Sequence, residues 1–252
     1  MCYDERMKSP TPLKPTVVLC VAAHPDDLEA TVAGSVAKWI QDGAEVHFLV
    51  CTGGDKGSPD RQVTSDDVAV TRRDEQHAAA QLLGVKSVTF LGYEDGQTEP
   101  SVGLKQDIAR EIRRFKPDTV VTLDPHILYD AESGMVNHVD HRSIGTATID
   151  AVYPLARDHL SFPELIAEGF EPHRVADLLL MREPLFTNFH NSANYFVDIT
   201  STFELKVKAL AAHQSQTGNE WFSALLEQVA TDAGRVAGVK KAEAFIRIHM
   251  SI

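Results

Sequence analysis

Val17-Val18-Leu19-Cys20-Val21-Ala22-Ala23-His24-Pro25-Asp26-Asp27-Leu28-Glu29 is the stretch whose reading decides the fold of this chain. An apolar, β-branched run reads as a strand buried on both faces, as in a parallel sheet. It stops abruptly at a histidine, a proline and two adjacent carboxylates. Open α/β sheets bind their ligands beyond the carboxyl ends of the strands, which is where these residues fall. His24 offers a neutral nitrogen ligand, Asp26 and Asp27 offer hard oxygens, and Pro25 stiffens the turn. Neighbouring side chains in a turn point different ways, so one aspartate can ligate a metal while the other faces the water beside it. The plainer account is that Asp26 or Asp27 caps a helix starting near Glu29. That account leaves His24 unexplained, and the two stand level until a second cluster is found.

Working outward, Glu29 to Gln41 carries Val32, Val36, Trp39 and Ile40 at helical spacing, and Gly43 stops the helix. Glu45 to Cys51 is a second buried strand, which completes a βαβ unit. The glycine-rich run Thr52 to Pro59 fits neither the dinucleotide fingerprint nor the P-loop, so it reads as the rim of a pocket. A helix is expected over Thr71 to Leu83, capped by Thr71 with Asp74 in the reciprocal position and stopped by Gly84. This places Arg72 and Arg73 at the positive end of a helix dipole, where cations are disfavoured. Either they pair with Glu75 on a solvated face, or one is held there to reach a polar ligand. Val88 to Leu91 is a third strand, Val102 to Phe115 a helix and Asp118 to Leu123 a fourth strand. The alternation predicts an α/β fold, a doubly wound, mainly parallel sheet with helices on both faces.

The second cluster follows the fourth strand: Asp124-Pro125-His126, a long loop, then Asn137-His138-Val139-Asp140-His141-Arg142 at the start of another helix. His138 and His141 are three apart, which near a helix start brings them to one side. In the usual strand order of such sheets, strands one and four flank the crevice where the order reverses. His24 and Asp27 would then meet His141 there. Beyond Pro154, strands are expected over Ala176 to Met181 and Tyr195 to Ile199, and helices over Thr200 to His213 and Glu220 to Ala230. His213, at a helix end, reads as a capping or supporting residue rather than a ligand.

Composition narrows the function class. A net charge of −12 in 252 residues argues against nucleic acid or an anionic membrane surface as partner. No apolar stretch approaches the roughly 20 residues of a membrane span. Met1 to Pro15 is polar, carries three prolines and lacks the apolar core of a signal peptide. The three cysteines have no metal-like spacing, which fits a reduced, cytoplasmic protein.

With both clusters in hand, the chain resembles the LmbE-like / PIG-L family of zinc-dependent N-acetylglucosaminyl deacetylases. The stretches that carry the resemblance are Ala23 to Glu29, Arg72-Arg73-Asp74-Glu75 with Ala78 to Val85, Asp95-Gly96, His138-Val139-Asp140-His141 and Ala209 to Gln216. Val139 stands where the family often has proline, Asp55 where it commonly has glutamate, and Ala30, Thr31 and Ala33 where it usually carries glycines. The polar, proline-bearing stretch 1–15 is expected to be a flexible arm, and the resemblance implies a single domain over 16–252, made of a Rossmann-like core to 155 and a C-terminal elaboration from 156. It implies Zn2+ held by His24, Asp27 and His141, with Fe2+ or Co2+ left open by the ligand types. It further implies Asp26 as general base, His138 as oxyanion stabiliser or acid with Asp140 orienting it and raising its pKa, and Arg72 and Asp95 as substrate contacts. The expected reaction is hydrolysis of the acetamide of an N-acetylated amino sugar by metal-activated water. An amidase acting on thiol-sugar S-conjugates is the nearest alternative, and a non-catalytic sugar- or nucleotide-binding module a more distant one. Homo-oligomers are common for such enzymes.

Overall fold

Val18 to Ala22 are fully buried, and the strand they form lies in the interior of the sheet. The computed structural model describes residues 12–181, 183–184, 186, 193–217 and 220–250. In chain order, the elements begin with β1 (Val17–Ala22), α1 (Asp27–Thr31), α2 (Ala33–Gln41), β2 (Glu45–Thr52), α3 (Ser65–Leu83), β3 (Ser87–Tyr93), α4 (Val102–Phe115) and β4 (Thr119–Leu123). They continue with β5 (Tyr129–Asp130), β6 (Met135–Val136), α5 (Val139–Asp150), α6 (Pro163–Ala167), β7 (Asp177–Met181), β8 (Tyr195–Asp198), α7 (Phe203–Leu210), α8 (Glu220–Ala237) and β9 (Ala242–His249). The arm expected over 1–15 falls mostly outside the described residues.

A seven-stranded sheet runs in the order β3-β2-β1-β4-β7-β9-β8. From β3 to β7 every pairing is parallel, and β9 lies antiparallel between β7 and β8. The order reverses between β1 and β4, whose register pairs Val18 with Thr119 and Val21 with Thr122. A crevice therefore opens beyond the carboxyl ends of β1 and β4, as the alternation of elements predicts. Helices α4 and α5 pack on each other and against β1, while α2, α3 and α7 form a second packed group. The β5–β6 hairpin stands apart as its own small sheet at the mouth of the crevice.

Several boundaries differ from the sequence reading. The single helix expected over Glu29 to Gln41 is two, because Val32 leaves helical geometry (φ −126°, ψ −1°) and divides α1 from α2. Helix α3 starts six residues earlier than expected, at Ser65. Its cap is Thr64, whose hydroxyl accepts from the Asp67 amide while Asp67 Oδ2 accepts from the Thr64 amide. The Thr64-x-x-Asp67 pair is thus the true capping box, and Thr71 instead donates to Asp67 O inside the helix. Strand β9 had no counterpart in the sequence reading. Its Glu243 is buried and accepts from Gly34 N and Ser35 N at the start of α2 and from Lys206 Nζ of α7. That cluster ties the last strand to the first βαβ unit.

Candidate metal centre

The turn after β1 is folded back on itself by its own aspartate. Asp27 Oδ2 accepts from the amides of Ala23 (3.0 Å) and His24 (2.8 Å), which leaves Oδ1 facing the crevice. Neither aspartate caps α1 by its side chain. Asp26 takes up left-handed backbone geometry (φ 97°), which costs a non-glycine residue about 1–3 kcal/mol unless its surroundings impose it. Two residues one turn apart on α3 impose it here. Gln76 Oε1 accepts from the Asp26 amide (3.2 Å), and Arg72 Nη2 donates to Pro25 O (2.6 Å) and Asp26 Oδ2 (3.1 Å).

Across the crevice, α5 begins at His138 and brings His141 to face His24. His24 Nδ1 lies 3.1 Å from His141 Nε2, His141 Nε2 lies 3.3 Å from Asp27 Oδ1, and His24 Nδ1 lies 3.7 Å from Asp27 Oδ2. Donors around a divalent ion at about 2.0–2.1 Å would be separated by roughly 3.3–3.4 Å, close to the two spacings about His141 Nε2. The far nitrogen of each ring is already committed. His24 Nε2 is held between Asp140 Oδ2 (3.1 Å) and Asp95 Oδ1 (3.2 Å), and His141 Nδ1 is bonded to Glu183. Both rings therefore turn a lone pair toward the other, an arrangement that repels itself unless a cation sits between them. Carboxylates on the outer nitrogens of two imidazoles are also how metal-binding histidines are fixed in orientation. Among the described residues, His24, His138 and His141, and also His24, Asp95, His138 and Asp140, bring donor atoms close enough to fit a divalent metal ion, with Asp27 Oδ1 beside His141.

The charge balance agrees. Burial opposes a charge on His24, but the carboxylates of Asp140, Asp27 and Asp95 outweigh it and lift its pKa well above the imidazole range. His141 behaves alike, raised against burial by Asp27 and Glu183. Asp27 is held far below the usual carboxylate range by His141 and His24 despite its burial. Asp26 moves the other way: burial pushes it up to about 6, against the pull of Arg72. A nest this rich in carboxylates draws in positive charge, whether as protons or as a metal ion.

A cleft of about 460 Å³ opens over these donors, lined by Lys56, Asp95, Met135, Val136, His138 and their neighbours. Comparison with known proteins supports the reading of this site. The family profile described as GlcNAc-PI de-N-acetylase (PIG-L) matches residues 19–152, more than half of the chain and both motif clusters. The chain belongs to the PIG-L family. It is 30% identical over 229 residues to a diacetylchitobiose deacetylase of Thermococcus kodakarensis, covering 90% of this chain and 80% of that one. A mycothiol S-conjugate amidase of Streptomyces coelicolor is 26% identical over 261 residues, covering 83% and 86%. Among solved structures, the N,N'-diacetylchitobiose deacetylase of Pyrococcus horikoshii superimposes with a TM-score of 0.83 at 29% identity, covering 93% of this chain and 84% of that one.

Placed in this PIG-L frame, the residues expected from the sequence sort into three groups. His24, Asp27, His138 and His141 meet at the crevice, and Asp26 lines the space adjoining it. Arg72 and Asp95, expected to contact substrate, both line the cleft and also bond within the protein. Arg72 holds Gly54 O, Pro25 O and Asp26, and its buried Nε has no hydrogen-bond partner among the described residues. Asp95 Oδ2 accepts from Lys56 N (3.0 Å) while Oδ1 holds His24. Asp140 departs from expectation. Its carboxylate takes Gly96 N, Thr98 N, Thr98 Oγ1 and His24 Nε2, and stays 3.8 Å from His138 Nδ1. It orients His24, and the expected rise in the His138 pKa does not occur: partial burial and the adjacent His24 and His141 hold that imidazole below its ordinary value. His138 Nδ1 accepts from the Asp140 amide (3.2 Å), so in the neutral ring Nε2 carries the proton.

Three supporting residues had no role in the sequence reading. Glu183 follows β7, the strand beside β4, so the rule that flagged the ends of β1 and β4 extends to it. Gln76 and Glu29 lie fully buried behind Asp26, where Gln76 Nε2 donates to Glu29 Oε1 (2.8 Å). His213, expected near a helix end, sits after α7 but turns its ring inward, with Nε2 3.2 Å from Glu29 Oε2. Burial opposes its protonation, and the Glu29 carboxylate raises its pKa regardless.

Proposed function

We propose that this protein hydrolyses the acetamide of an N-acetylated amino sugar of the N-acetylglucosamine type, releasing acetate and the free amine. The observation that carries the reading is that His24 Nδ1 (3.1 Å) and Asp27 Oδ1 (3.3 Å) both face His141 Nε2, with Asp26 lining the space beside them. Family membership and the diacetylchitobiose deacetylases among its relatives support the substrate class. Zinc is the ion we assign to the three donors. Two imidazoles and one carboxylate suit it, and a three-residue set leaves a position for solvent. When bound, such an ion acidifies water and polarises the amide carbonyl.

The chain's own residues do the rest. Asp26 accepts the proton of the attacking water and later returns one to the departing nitrogen. Arg72 and Gln76 keep its carboxylate aimed through that exchange. His138 donates from Nε2 to the oxygen on which negative charge develops. Asp95 and Asp140 hold His24, and Glu183 holds His141, so neither ring must reorganise during the reaction.

Acetate release from N-acetylglucosamine and N,N'-diacetylchitobiose, with metal content measured on the same preparation, tests this reading. Turnover that chelation abolishes and zinc restores is the expected result, and full activity in a metal-free preparation would overturn it. A second reading, cleavage of the amide of a thiol-sugar S-conjugate, is favoured by the likeness to the mycothiol S-conjugate amidase. The two readings differ in which amide is cleaved, so product identification separates them.

A further inference from the structure

A second chamber, of about 280 Å³, adjoins the crevice on the side of Asp26. The two spaces share Asp27 and Glu183, so the reacting centre lies between them. Their chemistry differs. Ala30, Pro184, Leu210 and Phe222 give the second chamber apolar walls. Its hydroxyl protons are used inside the protein, since Thr31 Oγ1 donates to Asp27 O (2.6 Å) and Thr217 Oγ1 to His213 O (2.8 Å). The Gln216 amide nitrogen is likewise engaged, by Gly57 O (2.9 Å). Among the described lining residues, a sugar's hydroxyls would find acceptors at Asp26, Asp27, Glu183 and Gln216, whereas Ala30, Pro184, Leu210 and Phe222 offer a hydrocarbon chain apolar contact.

The planar trans amide supplies the geometry. It directs its acyl chain and its nitrogen substituent to opposite sides of the C–N bond. A substrate with its carbonyl at Asp27 therefore sends one arm into each space, the hydroxylated arm to the polar cleft and the acyl arm to the apolar chamber. An acetyl methyl would occupy only a small part of that chamber, since an apolar cavity of about 150 Å³ already holds benzene.

We infer that the apolar chamber beside Asp26 is an acyl-chain site, and that the enzyme hydrolyses N-acyl amino sugars with chains longer than acetyl. This rests on the amide-hydrolase reading above. Water adds to the acyl carbon and the C–N bond breaks, giving the carboxylate and the protonated amine, so the chemistry is that of deacetylation with a longer leaving acid.

The test compares N-acetyl-, N-butanoyl- and N-hexanoylglucosamine with the zinc-loaded protein, its Ala30→Phe variant and its Phe222→Ala variant. Each buried methylene is worth up to about fourfold in kcat/KM. The hexanoyl compound is expected to match or exceed the acetyl one in the unaltered protein. Ala30→Phe, which fills the chamber, is expected to lower hexanoyl turnover at least tenfold while leaving acetyl turnover within about threefold. Should that variant fail to fold, Phe222→Ala decides, because a wider chamber shifts the preference toward longer chains. Hexanoyl turnover more than a hundredfold below acetyl, or a chain-length profile that neither variant alters, would overturn the acyl-chain site and leave the deacetylase reading standing. No hydrolysis of any of the three compounds or of N,N'-diacetylchitobiose would overturn the deacetylase reading itself, and the inference with it.

Discussion

His24 Nδ1 and His141 Nε2 face each other at 3.1 Å, although 117 positions of chain separate them. The parallel pairing of β1 with β4 brings them together, because each residue follows the carboxyl end of one of those strands. The outer nitrogen of each ring is held by carboxylates from elsewhere, Asp95 and Asp140 for one and Glu183 for the other. The pair is thus preset to share a cation, and the expectations below follow from that arrangement.

Adjacent aspartates should separate by function. Asp27→Asn is expected to lose metal and activity together, as measured by metal analysis after gel filtration. Asp26→Asn should retain the metal, since asparagine tolerates the left-handed backbone at that position. Its kcat is expected to fall by about 10²–10⁴-fold, the range for loss of a general base.

His138 lies within reach of both histidines, so its role can be read from two measurements on one variant. His138→Ala should keep full metal content and lower kcat by about 10²–10³-fold, with little change in KM. A matching loss of metal would make His138 a ligand instead.

Glu183 touches His141 and sits outside the donor set. Glu183→Gln should weaken metal affinity by about 10–100-fold, as removal of an orienting carboxylate does, in competition against a chromophoric chelator. An unchanged affinity would mean that His141 needs no such support.

Gly54 has φ +60°, and a Cβ there would lie 2.5 Å from Arg72 Nη1. Gly54→Ala therefore strains the backbone by about 1–2 kcal/mol and displaces the guanidinium that holds Asp26. The drop in kcat should exceed what the modest fall in Tm would explain. Equal activity in the variant would show that Arg72 does not position the carboxylate.

Lys206 and Glu243 form a buried pair at 2.5 Å. Lys206→Met leaves the carboxylate without its cation and should cost about 3–5 kcal/mol in urea unfolding. The amides of Gly34 and Ser35 that also bond Glu243 place the loss toward the lower end of that range. Adding Glu243→Gln should recover part of the stability.

Local patterns carried a large share of this molecule. The apolar run into His24-Pro25-Asp26-Asp27 and the strand-helix alternation after it determined the parallel sheet, the place of β1 to β4 and the crevice that draws the two histidine-bearing clusters together. Period and turn chemistry act over a few residues, so the sequence alone displays them. The start of α3 was also written locally, in Thr64-x-x-Asp67, but a competing cap at Thr71 obscured it. What only the tertiary structure decided is which carboxylate faces which nitrogen. Asp140 stands two residues from His138 yet bonds His24 across the crevice, Asp95 bonds the same ring, and Glu183 arrives from a strand that joins the sheet later. β9 lies between β7 and β8, where its Glu243 meets Lys206 and the start of α2. Such pairings depend on strand order and on the path of each loop above the sheet, and these are settled by packing across the whole chain.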